Sequence, residues 1–183
     1  MTCRRGQVTI GQTAAAALYV GLATGLAPAE SAELARATSA ALGIQEMYNA
    51  LFYGTFVPKM VWEAVLCRCL PELGLTKWFY HGKCLATYRH WMSTFERWLR
   101  TRTAQPHANA NAESDDAVTF LAGDALSFAD VCLYDCVQAV EEVGYFTPDD
   151  RTTLYPKLSA LVALVAQLPS IAEYVAKRPP RFE

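Results

Sequence analysis

The sequence predicts a mostly α-helical protein, a helical bundle that carries a small β-containing segment at its N-terminus. Three observations support this fold class. Alanine, the strongest helix former, occurs 29 times in 183 residues, against 10 glycines and 9 prolines. Apolar side chains recur every three or four residues over long stretches, most clearly across residues 83–102. One short stretch, residues 7–10, is compatible with a β-strand.

Composition excludes several classes of protein. Hydrophobic residues make up 52% and charged residues 19% of the chain, which excludes intrinsic disorder. The formal net charge of −2 gives no electrostatic footprint for nucleic acid. No apolar run reaches about 18 residues, and no secretory signal follows Met1, so we expect neither a membrane span nor export. These features together predict a cytoplasmic protein.

The six cysteines are too few for a disulfide scaffold. Cys84, Cys132 and Cys136 fall within helical apolar patterns, which predicts small buried side chains in a reducing compartment. Cys67 and Cys69 lack the spacing of a zinc finger, and no second pair completes four ligands. None of the three histidines has another ligand-type residue at metal-ligand spacing on the same helix face. We therefore predict no metal site, and we assign no catalytic nucleophile or base.

Residues 7–25 predict a strand, a tight turn and a helix. Thr13 can cap that helix and Gly25 can end it. The strand at 7–10 has no predicted partner, and an isolated strand leaves its backbone groups unpaired on both edges. Either another segment completes the sheet or this strand does not form.

Two helical segments follow. Residues 30–53 place one apolar face on a helix that Gly54 and Pro58 interrupt. A second apolar segment, 60–70, ends before Pro71, because the residue preceding a proline disfavours helix. We expect a short connector between Gly74 and Gly82.

Residues 83–102 carry the clearest helix pattern. Charged side chains fall between the apolar positions, and they include Arg89, Glu96, Arg97, Arg100 and Arg102. The arginines form a mildly basic strip that we interpret as a solvated helix face. The next stretch, 103–117, is rich in alanine and asparagine and has an acidic end, which predicts a mobile surface loop.

Three further helices are predicted, over residues 128–143, 156–167 and 171–177. The second of them has proline in its first turn, where the missing N–H costs nothing. Ser127 and Asp130, three residues apart, have the spacing of a capping box at the start of the first. By itself that motif is structural, because any helix can carry one.

The surroundings of this motif resemble the C-terminal helical domain of the glutathione transferase family. In that family a loop of the type L-x-G-D precedes S/T-x-A-D at the start of a central helix, and here the matching residues are Phe120–Asp124 and Leu126–Asp130, with Leu133 and Asp135. Downstream matches are Tyr155–Leu158, Leu168–Ile171 and Tyr174. Upstream, Ile10–Ala14, Leu18–Val20 and Thr24–Leu26 resemble the last strand and last helix of the family's thioredoxin-like domain. The resemblance implies a thioredoxin-like remnant at 1–28 and an all-α domain at 29–183.

The resemblance also implies a function, the conjugation of glutathione, as co-substrate, to apolar electrophiles by a homodimer. Gln12 and Thr13 stand where the family has Gln-Ser, so they would hold the γ-glutamyl carboxylate at a helix N-terminus. Glu46 lies near the position of an acidic residue that reaches glutathione in the partner subunit. The structural alternatives are that Thr13 is only a cap and Glu46 only a solvated carboxylate.

Tyr48, Phe52 and Phe56 fall on the helix that lines the acceptor-substrate pocket in the family, although aromatic residues at helical spacing are also typical of a core. The family's thiol-activating residue precedes the region of resemblance. We therefore expect little or no conjugating activity from this chain alone. The alternative function is that of a non-catalytic helical module for association with a protein partner.

Overall fold

Helices dominate the structure, as the sequence predicts. The computed structural model describes residues 3–5, 8–10, 12–61, 75–103 and 119–179. In these ranges two strands are followed by seven helices: β1 (Cys3–Arg5), β2 (Val8–Ile10), α1 (Thr13–Thr24), α2 (Ser31–Val61), α3 (Leu75–Thr103), α4 (Phe128–Glu142), α5 (Pro148–Leu154), α6 (Pro156–Ala166) and α7 (Pro169–Lys177). Within those ranges no single helix is long and apolar enough to cross a membrane; only α6 and α7 taken together, bent by 79°, reach that length and composition.

The N-terminal strands form an antiparallel hairpin. Arg4 of β1 lies opposite Thr9 of β2, and Cys3 lies opposite Ile10. The strand at 8–10 therefore has a neighbouring partner, so the expectation that none lies nearby was wrong. Strand β1 was not predicted, because two of its three residues are arginines rather than the β-branched or aromatic residues that favour strands.

Two helices are longer than predicted. Helix α2 continues through Gly54 and Pro58 to Val61, and α3 begins at Leu75 where a connector was expected. Glycine and proline lower local helix propensity, but the packing of a long helix against its neighbours overrides such local costs. Residues 62–74 and 104–118 lie outside the described residues, and with them most of the predicted segment 60–70 and of the predicted loop 103–117.

Helix α5 was not predicted at all. Its seven residues, PDDRTTL, are too short and too polar to show an apolar period, and none of them is buried. The signal that could have found it is its start, where Thr147 caps the helix, Pro148 follows and Asp150 completes a capping box.

Four helices, α2, α3, α4 and α6, supply most of the buried core. Helix α2 packs against α3 and α4, α6 packs against α3 and α4, and α1 lies across α2 and α4. The largest fully buried side chains are Tyr88, Phe95, Ile44, Met47, Met92, Leu99, Leu121, Leu133, Leu158, Leu161, Val137 and Val140. The apolar stripe predicted on α3 therefore faces the core.

Helices α2 and α3 approach each other closely at Gly43. A Cβ atom placed on Gly43 would lie 2.5 Å from Cζ3 of Trp91, so only glycine fits without a shift of the indole. The same indole donates from Nε1 to the Glu46 carboxylate one turn further along α2, at 2.9 Å. Gly43, which lowers helix propensity, is thus required by close packing.

We expect Gly43→Ala to destabilise the protein by about 1–3 kcal/mol, because overpacking outweighs the gain in helix propensity. The matched control is Gly82→Ala on α3, where an added Cβ meets no heavy atom within 4 Å. That substitution should stabilise the protein by roughly 0.5–1 kcal/mol. Urea unfolding of the two variants checks both signs, and a stabilised Gly43→Ala protein would contradict the packing argument.

Candidate functional site

The N-terminus of α1 holds the first two predicted site residues, and both are exposed. Gln12 is extended, with φ −113° and ψ 137°, and is the N-cap residue, while Thr13 is already helical. The prediction that Thr13 caps the helix was therefore wrong, because a residue inside the helix cannot fold its hydroxyl back onto the first turn. Gln12 makes no side-chain capping hydrogen bond, and the first turn of α1 holds no acidic residue. The backbone N–H groups of this first turn can donate hydrogen bonds to an anion.

Helix α1 is fixed against the start of α4. Gly21 is buried against the ring of Phe128, where a Cβ atom would lie 2.8 Å from Cδ1. The Phe128 N–H donates to the Leu26 carbonyl at 2.9 Å. These two contacts orient α1, and so its N-terminus, relative to the helical bundle.

The start of α4 is organised by Asp130, which is 1% exposed. One carboxylate oxygen accepts from the Leu121 N–H at 2.9 Å, and the other accepts from the Ser127 N–H at 2.8 Å and the Ser127 hydroxyl at 2.7 Å. Ser127 and Asp130 form a capping box. Burial raises the pKa of Asp130, and the hydrogen bonds from Leu121 and Ser127 act in the opposite direction. Both oxygens accept, which is the geometry of an ionised carboxylate.

Glu46 and Tyr48 leave α2 on different sides. Glu46 is exposed and accepts from the Trp91 indole, whereas the half-buried Tyr48 donates its hydroxyl to the Asp135 carboxylate of α4. Glu46 is therefore on the surface, where a second molecule could reach it, and Tyr48 links α2 to α4. Phe52, one turn beyond Tyr48, is 52% exposed. Phe56 lies in α2, but its side chain lies outside the described residues.

Two charged side chains of α3 are buried or half-buried: Glu96, which falls between the apolar positions, and Arg102, which the sequence placed on a solvated face. Glu96 is 5% exposed and accepts from the Leu158 N–H at 2.9 Å and the Lys157 N–H at 3.3 Å, at the first turn of α6. The guanidinium of Arg102 is 12% exposed and donates to the Ala122 carbonyl and to Asp124. The apolar pattern could not separate these residues from their exposed neighbours, because polar positions beside the stripe look alike in sequence.

Cys136 is fully buried, as predicted, and Cys132 is half-buried. Burial, with the carboxylates of Asp135 and Asp130 nearby, raises the pKa of Cys132 to about 11. Its thiol is protonated at neutral pH and is a poor nucleophile. In the described part of the chain no three His, Cys, Asp or Glu side chains come together as a metal site.

The cap at the start of helix α5 depends on pH, because it uses the carboxylate of Asp150. Its carboxylate accepts from the Thr147 hydroxyl at 2.7 Å and from the Thr147 N–H at 3.3 Å, and these bonds lower its pKa. Asp150 therefore binds a proton more readily in the unfolded chain than in the folded chain. Its contribution to the free energy of unfolding is present above about pH 4, and it is lost as the pH falls through the lowered pKa of the folded state.

We expect the difference in unfolding free energy between the wild type and Asp150→Asn to shrink as the pH falls from about 6 to about 2.5. Urea unfolding at a series of pH values measures it. A difference that stays constant, or grows, toward acid would show that the carboxylate charge is not what caps α5. Thr147→Ala should reduce this pH dependence, because it deletes the hydroxyl that holds Asp150 and leaves only the backbone N–H.

The model for the C-terminal domain of glutathione S-transferases matches residues 81–178, which is more than half of the chain. The chain belongs to the glutathione S-transferase family. The resemblance found in Phe120–Asp130 is thereby confirmed, and the buried network around Asp130 is what those residues build in this member of the family. A comparison with curated proteins gives no match.

Solved glutathione S-transferases share the fold. A Caenorhabditis elegans enzyme of this name is 20% identical, with a TM-score of 0.63, over 97% of this chain and 73% of its own. A monomeric glutathione S-transferase from the hookworm Necator americanus is 17% identical, with a TM-score of 0.66, over 100% of this chain and 75% of its own. The enzyme from Ascaris lumbricoides is 20% identical, with a TM-score of 0.60, over 97% and 73%. Identities this low establish the fold alone.

Proposed function

We propose that this glutathione transferase-like chain contributes the helical domain and the γ-glutamyl end of the glutathione site to a conjugating enzyme. In this proposal residues 1–28 belong to a thioredoxin-like part and residues 29–183 form the all-α part. The observation that carries it is the N-terminus of α1, where Gln12 makes no side-chain capping hydrogen bond and both Gln12 and Thr13 are exposed. A carboxylate is the ligand such a helix end favours.

The acceptor side of the proposed site is α2. Phe52 exposes half of its ring one turn beyond Tyr48, which can give an apolar electrophile an aromatic wall. In the reaction, the glutathione thiolate would form a C–S bond to the electrophilic carbon while the leaving group departs with its electron pair. We assign no thiol-activating residue among the described residues. Conjugation therefore requires that group from the thioredoxin-like part.

The first test is calorimetric titration of the 183-residue chain with reduced glutathione. We expect binding, and we expect Gln12→Ala to weaken it about tenfold, because a hydrogen bond to a charged group contributes roughly 1.5–3 kcal/mol. Gln167→Ala is the matched control, since Gln167 is also exposed but follows α6. No heat of binding at millimolar glutathione would contradict an autonomous glutathione site.

Glu46 provides a test of the proposed homodimer. Its exposed carboxylate is held by Trp91 at the surface of α2, where it could reach glutathione bound to a second subunit. In a homodimer Glu46→Gln should weaken glutathione binding, whereas in a monomer it should not. Sedimentation velocity gives the oligomeric state that decides which result applies. We propose the cytoplasm as the location, because free cysteines suit a reducing compartment.

A second function, association with a protein partner, is favoured by α1. This helix is apolar throughout, yet Leu22 is 60% and Val20 is 44% exposed, and of its residues only Gly21 is buried. A helix that is apolar on all sides is usually covered. Failure of the glutathione titration, together with self-association that Leu22→Glu abolishes, would favour this alternative.

A further inference from the structure

A second concave site is lined by residues other than those of the candidate glutathione site. It is a cleft of about 480 Å³ between the first turns of α2 and the last turns of α3. Its described lining residues are Ala35, Arg36, Ser39, Trp98, Thr101, Arg102 and Leu121. None of the residues assigned above to glutathione or to the acceptor lines it.

Helical spacing brings the polar groups of this cleft together. Arg36 and Ser39 are three residues apart on α2, and Trp98 and Arg102 are four apart on α3, so each pair shares one helix face. Thr101 adds a second hydroxyl on the α3 side. The two faces line opposite walls of the same cleft.

Both charged side chains in the described lining are arginines. Arg36 is exposed and makes no hydrogen bond or ion pair with the residues the structure describes. Arg102 is held in place by the Ala122 carbonyl and Asp124. A guanidinium fixed in this way, on the wall opposite a second, exposed guanidinium, favours an anion between them.

The remaining lining residues select the kind of anion. Ser39 and Thr101 provide hydroxyls, and the half-buried indole of Trp98 offers a flat apolar surface. A phosphate monoester carries about −1.5 to −2 charges at neutral pH. A site with two arginines therefore matches a phosphate monoester better than it matches a single carboxylate. A flat ring attached to it could stack on the indole.

We infer that this cleft binds a small phosphate monoester that carries a flat ring, with the phosphate between Arg36 and Arg102 and the ring against Trp98. This site is independent of glutathione binding and of the proposed conjugation. Its size falls within the range typical of small-molecule sites, roughly 300–1,000 Å³.

Calorimetric titration of the full chain with phenyl phosphate tests the inference. We expect one ligand per chain, with weaker binding of inorganic phosphate and of phenol, which each present only half of the ligand. Arg36→Gln should weaken phenyl phosphate binding about tenfold, since it removes hydrogen bonds to a charged group. Raising the salt concentration should also weaken binding, because the attraction is electrostatic.

Arg97→Gln is the matched control, because Arg97 is an exposed arginine on α3 that does not line the cleft. It should leave the affinity unchanged, and saturating glutathione should not compete. The inference is overturned if phenyl phosphate gives no heat of binding at millimolar concentration, if Arg97→Gln weakens binding as much as Arg36→Gln, or if glutathione displaces the ligand. The last result would place the anion at the N-terminus of α1 instead.

Discussion

Replacing Asp130 with alanine should lower the free energy of unfolding by about 3–5 kcal/mol, because each buried donor left without an acceptor costs roughly 1–3 kcal/mol. Those donors are the Leu121 N–H and the Ser127 N–H, whose bonds to the Asp130 carboxylate are both buried. Thermal or urea unfolding of the purified chain measures the loss. A decrease below about 1 kcal/mol would contradict the role assigned to this carboxylate.

Two variants separate the parts of this network. Ser127→Ala removes only the hydroxyl and keeps both backbone donors paired, so it should cost about 1 kcal/mol, as for an N-cap. Asp130→Asn keeps one acceptor oxygen but places an amide N–H₂ against the other donors. Its stability should fall between those of the other two variants.

Glu96→Ala should be the second large loss, about 2–4 kcal/mol, because it leaves the first turn of α6 without an acceptor and opens a cavity between α3 and α6. Tyr155, the N-cap residue of α6, offers no side-chain cap of its own. Unfolding in urea measures the effect, and far-ultraviolet circular dichroism reports whether helix content falls with it.

Arg100→Ala tests whether Glu96 acts through α6. Arg100 donates to Glu96 at 2.8 Å, but its side chain is 60% exposed, and exposed ion pairs of this kind contribute about 0.5 kcal/mol or less. If Arg100→Ala destabilised the protein as much as Glu96→Ala, the ion pair rather than the helix cap would be the important contact.

Local rules in the sequence predict the regular parts of this fold well. The α4 helix carries its own start in Ser127 and Asp130, so it was predicted to within one residue at each end. The apolar stripe of α3 predicted its C-terminal part, residues 83–102, but not its first two turns. The misses fall where local preference and tertiary packing disagree. Gly54 and Pro58 favour an interruption that the long α2 helix does not have, and α5 has no buried face to create a period.

In the candidate site, too, the sequence predicted the local features and missed those that distant segments form. The sequence pointed to Gln12 and Thr13 because a helix start is a local feature, but which of the two is the N-cap depends on backbone angles. Glu96 escaped notice because its acceptor role depends on a helix that begins 60 residues later in the chain. The cleft of Arg36 and Arg102 is likewise formed by two distant helices, so no single segment contains its pattern.

The two capping carboxylates differ in how far along the chain they reach. Asp130 binds donors three and nine residues away, whereas Glu96 binds donors 61 and 62 residues away. Short-range contacts close small loops and cost little chain entropy, while long-range contacts must wait until a large loop has closed. This separation favours an order of assembly in which the start of α4 forms early and the docking of α6 on α3 comes late. Loss of the first carboxylate then slows folding, and loss of the second mainly speeds unfolding.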